Sequence, residues 1–160
     1  MSAADHDLAR RVERLEDRAA IASLVHAYCD RFDHNDPEGV AALFTADARV
    51  DYNPDTPDIR GADLAVAIAD GLRDTFAATS HHVSNLEIDL DDAEPDTARS
   101  TCYLDAWHRY RDGSPDGFLW GRYEHRFRRT PDGWRITELV LRGHGTVDFH
   151  RPRMHPIDRS

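Results

Sequence analysis

The sequence predicts an α+β fold in which helices come first and an antiparallel sheet follows. Two observations carry this reading. Apolar residues recur at helical spacing through Phe76, and from Thr79 onward they alternate with period two. The alternating segments are long and joined by short Gly-, Pro- and Asp-bearing turns, the pattern of an antiparallel meander. Helices that precede a run of strands pack on one face of the sheet.

The elements follow in order. Leu8, Val12 and Leu15 recur at helical spacing, and so do Ile21, Leu24, Val25, Tyr28 and Phe32. The stripe shifts phase near Asp17 to Ala20, which predicts a kink or break. Asp36-Pro37 supplies an N-cap and a first-turn proline for a second helix carrying Val40, Leu43 and Phe44. Ala48 to Tyr52 alternates as a short strand, and Asn53 to Gly61, with two prolines, reads as loop. A third helix runs from Ala62 to Ala77 on Leu64, Ala65, Ile68, Leu72 and Phe76. Four strands are expected: His82–Leu90, Thr97–Tyr110, Phe118–Arg129 and Trp134–Leu141. The acidic stretch Asp91 to Asp96 reads as a solvated turn. Residues 1–142 read as one domain, and residues 143–160 as a C-terminal tail with no assignable structure.

Composition excludes several functions. A formal net charge of -10 argues against nucleic acid and anionic membranes. All 20 basic residues are arginine, so Schiff-base lysines, lysine-held pyridoxal phosphate and the P-loop lysine are ruled out. Cys29 and Cys102 form no CxxC pair, which argues against a disulfide framework or zinc knuckle. The 10 histidines show no HExxH spacing, so no metal is expected. No apolar run approaches the ~18 residues of a membrane span, and the charged N-terminus is no secretory signal. A cytoplasmic, cofactor-free domain is the expectation.

Three polar residues sit where a core prefers apolar ones. Asp33 ends the first apolar helical stripe. His108 lies on the Cys102-Leu104-Ala106 face of a strand, and His81 opens the strand after the third helix. A buried carboxylate is costly unless paired, and a His–Asp pair both removes that cost and makes a general base. Taken singly, an Asp at a helix end is more often a cap, and a strand His more often a structural residue. Trp107, Trp120 and Trp134 suit a core.

Beyond these features, the chain resembles the SnoaL-like branch of the nuclear-transport-factor-2-like superfamily. The matching stretches are LEDRAAIASLVHAYCDRFDHNDPEGVAALFTADARVDY, TSHHVSN, LDAWHRY and WGRYEHRFRRTPDGWRI. The resemblance implies a cone-shaped α+β barrel with N-terminal helices on a curved, mostly antiparallel sheet around a deep apolar pocket. Within that branch the motifs are similar to those of scytalone dehydratase and hexachlorocyclohexane dehydrochlorinase, both cofactor-free lyases that use histidine and aspartate. By this likeness Asp33 is the dyad aspartate, His81 the base, His108 a second histidine and Tyr52 a donor to the substrate carbonyl. The same likeness assigns Phe32, Trp120, Arg122 and Glu124 to substrate binding. Phe32 replaces a tyrosine that pairs with the Tyr52 equivalent, so one donor is missing. The implied activity is a dehydratase acting on a small cyclic or polyketide-like molecule. Base and acid would then be different residues, His81 and His108. A cyclase or isomerase with the same base, or a non-catalytic binding domain, would suit the same fold. A homo-oligomer is also expected, a trimer ahead of a dimer, through an outer face formed by Tyr103, Trp107, Leu119, Tyr123 and Phe127.

Overall fold

Helix α1 (Ala3–Asp33) opens the chain without a break. Ser2 and Asp5 form a reciprocal capping box at its start. The break expected near Asp17 does not occur, and the packing explains why. Leu8, Val12 and Leu15 are exposed, whereas Ile21, Val25, Tyr28 and Cys29 are buried. The change of phase therefore marks where the helix leaves the body of the protein. Asp17 anchors it there, accepting from Trp134 Nε1 at 2.9 Å and Arg129 Nη2 at 2.7 Å.

The computed structural model describes residues 2–91 and 93–157. Met1 of the charged N-terminus, Asp92 of the acidic turn and residues 158–160 of the tail lie outside it. After α1 the chain turns at Asn35 (φ 57°), and Asp36 caps helix α2 (Pro37–Ala41) through the Gly39 N–H at 2.9 Å. Strand β1 (Phe44–Asp51) and the short β2 (Ile59–Arg60) pair antiparallel; β1 begins earlier than the alternation suggests, and β2 lies in the expected loop. One 3-10 turn leads into α3 (Leu64–Asp74), which buries Leu64, Ile68 and Leu72.

Strands β3 (Phe76–Leu90), β4 (Thr97–Tyr110), β5 (Gly117–Thr130) and β6 (Gly133–Val147) form the expected meander. The sheet order is β2-β1-β6-β5-β4-β3, with β1 parallel to β6, so the sheet is mixed and open rather than a closed barrel. A register shift in β3 between Ser84 and Glu87, with Asn85 at φ 51°, adds local bend. The boundary at residue 142 falls inside β6. The segment beyond it folds back, and β7 (His155–Pro156) pairs parallel with Arg142 and Gly143. A Cβ on Gly143 would lie 2.7 Å from Met154, so this crossing requires glycine. His155 Nε2 bonds Asp51 Oδ1 at 2.7 Å and ties the tail to β1.

Burial on β4 alternates strictly, with Ala98, Ser100, Cys102, Leu104, Ala106, His108 and Tyr110 inward. Residues directly opposite in an antiparallel pair share a face. Ala106 faces Leu119, Cys102 faces Tyr123 and Ala98 faces Phe127, so these three β5 residues point inward. The expectation that Leu119, Tyr123 and Phe127 lie on the outer face is thus corrected. Tyr103 and Trp107 do lie outward. Among the described residues no helix is long and apolar enough to cross a membrane.

Candidate active site

Between α1, α3 and the concave face of the sheet lies an apolar cavity of about 100 Å³. An engineered cavity of roughly 150 Å³ accepts benzene. This one therefore takes one small ring, with slight movement of its walls. Helix α1 contributes Tyr28 and Phe32, the chain just after β1 contributes Tyr52, β3 contributes His81 and β4 contributes His108.

Asp33, the last residue of α1, receives three hydrogen bonds. Oδ1 accepts from His81 Nδ1 at 2.7 Å and from Thr79 Oγ1 at 2.8 Å; Oδ2 accepts from the His81 backbone N–H at 2.8 Å. Partial burial pushes this carboxyl up, but the bonds from His81 and Thr79 outweigh burial and hold it below its ordinary value. It is therefore ionised at neutral pH and can only accept. That requires a His81 proton on Nδ1, so the neutral form of this imidazole has its lone pair on Nε2. The local sequence makes the pairing possible: Thr79, Ser80 and His81 lie in β3 beside the C-terminal end of the helix.

His108 does not touch Asp33. Its ring meets that of His81 at 5.3 Å and 86°, edge to face. Burial, then the nearby His81, His150 and Arg151, push its pKa down to about 3, and its Nδ1 is buried without a hydrogen-bond partner among the described residues. At neutral pH this imidazole is uncharged. Phe32 lies against His81, the two rings 5.0 Å apart.

Tyr52 bonds Tyr28, hydroxyl to hydroxyl, at 2.7 Å. Burial raises both phenols, so both stay protonated. The donor expected to be missing at Phe32 is thus present one turn earlier on the same helix face, at Tyr28. The i, i+4 spacing of Tyr28 and Phe32 was the available signal.

Trp120, Arg122 and Glu124 are not in the cavity. All three lie on the opposite face of β5, because its inward residues are the odd-numbered ones. Trp120 stacks on Phe118 at 6.1 Å, Arg122 lies over the Tyr103 ring at 5.1 Å and Glu124 pairs with Arg142 at 2.8 Å. The tail supplies what they do not: Phe149, His150 and Arg151 close the cavity. Nothing in the tail's irregular sequence marked them. Among the described residues no group of three or more His, Cys, Asp or Glu is placed to hold a metal ion.

The model of the SnoaL-like domain matches residues 13–140. The chain belongs to the SnoaL-like family. The SnoaL-like match ends before Phe149, so the tail side of the cavity lies beyond it. Solved structures agree with the cone fold of the nuclear-transport-factor-2-like superfamily. A protein from Novosphingobium aromaticivorans, provisionally named a scytalone dehydratase, is 33% identical, with a TM-score of 0.83 over 92% of this chain and 97% of its own. A second protein from that genus and species, provisionally named an aromatic ring hydroxylase, is 25% identical, with a TM-score of 0.74 over 82% and 91%. The hexachlorocyclohexane dehydrochlorinase LinA type 2 is 18% identical, with a TM-score of 0.77 over 91% and 97%, a likeness of fold alone. No curated protein matches the chain in sequence.

Proposed function

We propose that this SnoaL-like chain is a cofactor-free lyase that removes water from a small cyclic or polyketide-like β-hydroxy carbonyl compound. The observation that carries the reading is the 2.7 Å bond from His81 Nδ1 to Asp33, which frees Nε2 as a base on the wall of an apolar cavity. The relative named a dehydratase supports the same class of reaction.

The substrate carbonyl sits against Tyr52, whose hydroxyl is backed by Tyr28. His81 Nε2 takes the proton from the carbon beside the carbonyl. The C–H pair moves into the enolate, whose oxygen accepts from Tyr52. Asp33 stabilises the imidazolium by its charge. The enolate then collapses, a C–C double bond forms and the β C–O bond breaks. The departing hydroxide takes the proton from His81 Nε2 and leaves as water, which restores neutral His81. His108 is uncharged at neutral pH, so its part is a hydrogen bond to the leaving oxygen, not delivery of a stored proton. One base that removes and returns a proton on the same face makes the elimination syn.

The test uses 3-hydroxycyclohexanone in D2O. The wild type should speed both deuterium entry beside the carbonyl and formation of the conjugated enone, with loss of one water by mass. His81→Ala should abolish both. Exchange without water loss would assign an isomerase or cyclase with the same base. A panel of cyclic β-hydroxy ketones that shows neither process refutes catalysis and leaves a binding domain.

A further inference from the structure

The cavity contains a cation that the elimination does not use. Arg151 lines it, with the guanidinium carbon 5.0 Å over the Tyr52 ring. The chain carries 30 acidic residues, and at least nine of its arginines pair with one. Arg49 bonds Asp51, Asp58 and Glu138, and even Arg153, two residues away, pairs with Asp55. Arg151 makes no ion pair among the described residues. No carboxylate is among the residues lining the cavity, and Asp33 behind His81 already has both oxygens engaged by three donors.

Half-burial takes this cation out of part of its water with no carboxylate in return, and the aromatic ring beneath it recovers only some of that loss. Consistent with this, burial pulls the Arg151 pKa down from its ordinary value. A fold that keeps this charge beside the base is built for a ligand that compensates it. Because the guanidinium lies over the Tyr52 ring, a group that it held would sit beside a carbonyl that meets the Tyr52 hydroxyl.

We infer that the substrate is an anion: a small ring whose carboxylate, or an acidic group of similar shape, is held by Arg151 while the carbonyl meets Tyr52. The inference deepens the proposed lyase reading and rests on it for the carbonyl. Guanidinium suits the role because its fork can donate two parallel bonds to one carboxylate. Selection then works in both directions. A neutral ring leaves the half-buried guanidinium unpaired, and an anion gains a charge-assisted pair partly shielded from water.

The probes are benzoate and its neutral isostere benzamide, each a single small ring, titrated calorimetrically into the whole protein at pH 8. At that pH free imidazoles are uncharged, so Arg151 is the cation that an anion would meet in the cavity. Benzoate should bind at least about tenfold more tightly than benzamide. Arg151→Gln should erase the difference without weakening benzamide, and Arg151→Lys should keep part of it. Melting curves check that both variants fold. Benzoate that binds no better than benzamide, or not at all, overturns the inference. So does a preference that survives in folded Arg151→Gln. Deuterium exchange on neutral 3-hydroxycyclohexanone and on its anionic relative 3-hydroxy-5-oxocyclohexanecarboxylate tests the base separately. Exchange on either with no benzoate preference sinks this inference alone, and a benzoate preference with no exchange on either sinks the lyase reading alone.

Discussion

Replacing Asp33 by Asn changes one atom, and the geometry dictates the consequence. The carboxylate accepts from Thr79 Oγ1 and His81 Nδ1 at one oxygen, and from the His81 backbone N–H at the other. An amide has one acceptor oxygen and two donors. With its oxygen in the Oδ1 position, the NH2 group meets the backbone N–H, donor against donor, across a contact now 2.8 Å long. That leaves a buried donor unsatisfied, at about 1–3 kcal/mol. With the amide flipped, its oxygen takes the backbone N–H, the Thr79 hydroxyl rotates, and the NH2 group faces His81 Nδ1. The imidazole satisfies that contact by moving its proton to Nε2. The flipped pose wins, and the base then presents an N–H where it needs a lone pair. Deuterium exchange and elimination should fall by about two to four orders of magnitude. Stability should change by about 1 kcal/mol or less, a few degrees in Tm, or should rise as a buried charge is lost. Imidazole nitrogen NMR reads the tautomer directly, without any substrate. A variant whose His81 still carries its proton on Nδ1, or whose exchange rate is unchanged, refutes the reasoning. Adding His81→Ala should cause little further loss, since the two residues act as one unit; additive losses would mean that Asp33 serves another group.

Three further outcomes are expected. Burial pushes His108, His125 and His150 down to about 3, whereas unfolded imidazole protonates near 6.5, so the unfolded state binds more protons between these values. Their contribution is present above about pH 6.5 and is lost as pH falls, by about 2 kcal/mol each near pH 5. His125→Phe should remove roughly a third of that loss in urea unfolding curves, and an unchanged pH slope contradicts the account. Tyr28→Phe should slow exchange about tenfold by withdrawing the hydroxyl that backs Tyr52, with full activity as the contrary result. The outer face retains exposed Tyr103, Trp120 and Val147. A homo-oligomer, trimer ahead of dimer, should therefore appear by light scattering at micromolar concentration and weaken in Trp120→Glu; a monomeric wild type refutes it.

The parts of this fold that were legible are those where one chain segment contains the whole signal. Strand β4 runs from Thr97 to Tyr110 as its alternation predicts, because every second residue is small or apolar. Asp36-Pro37 starts α2 because a cap acts within one turn. The phase of β5 was harder, because both faces carry aromatic residues: Phe118 and Trp120 on one, Tyr123 and Phe127 on the other. Which face turns inward is decided by the partner strand, where Ala106 and Cys102 stand opposite Leu119 and Tyr123. Choosing the other face exchanged Trp120, Arg122 and Glu124 for the residues that line the cavity. A one-residue error of phase moves every side chain across the sheet.

The candidate site divides along the same line. Asp33, His81 and His108 stood out because each is a polar residue at a position whose neighbours mark it as inward-facing, and burial there has a cost that must be met. The cost argument identifies such residues without identifying their partners. Only the fold shows that Asp33 meets His81 and that His108 stands free of it. Arg151 carries the same kind of cost and escaped notice, because an irregular segment with no period has no inward face to read. Its position depends on His155 bonding Asp51 and on Met154 crossing Gly143, contacts made after β6 has already ended. The tail therefore adds a charge to a cavity whose hydrogen-bonded Asp33 and His81 come from earlier in the chain. If the proposed lyase reading holds, that separation is useful: the pair at α1 and β3 would keep one reaction while changes in the tail alter which substrate is held against it.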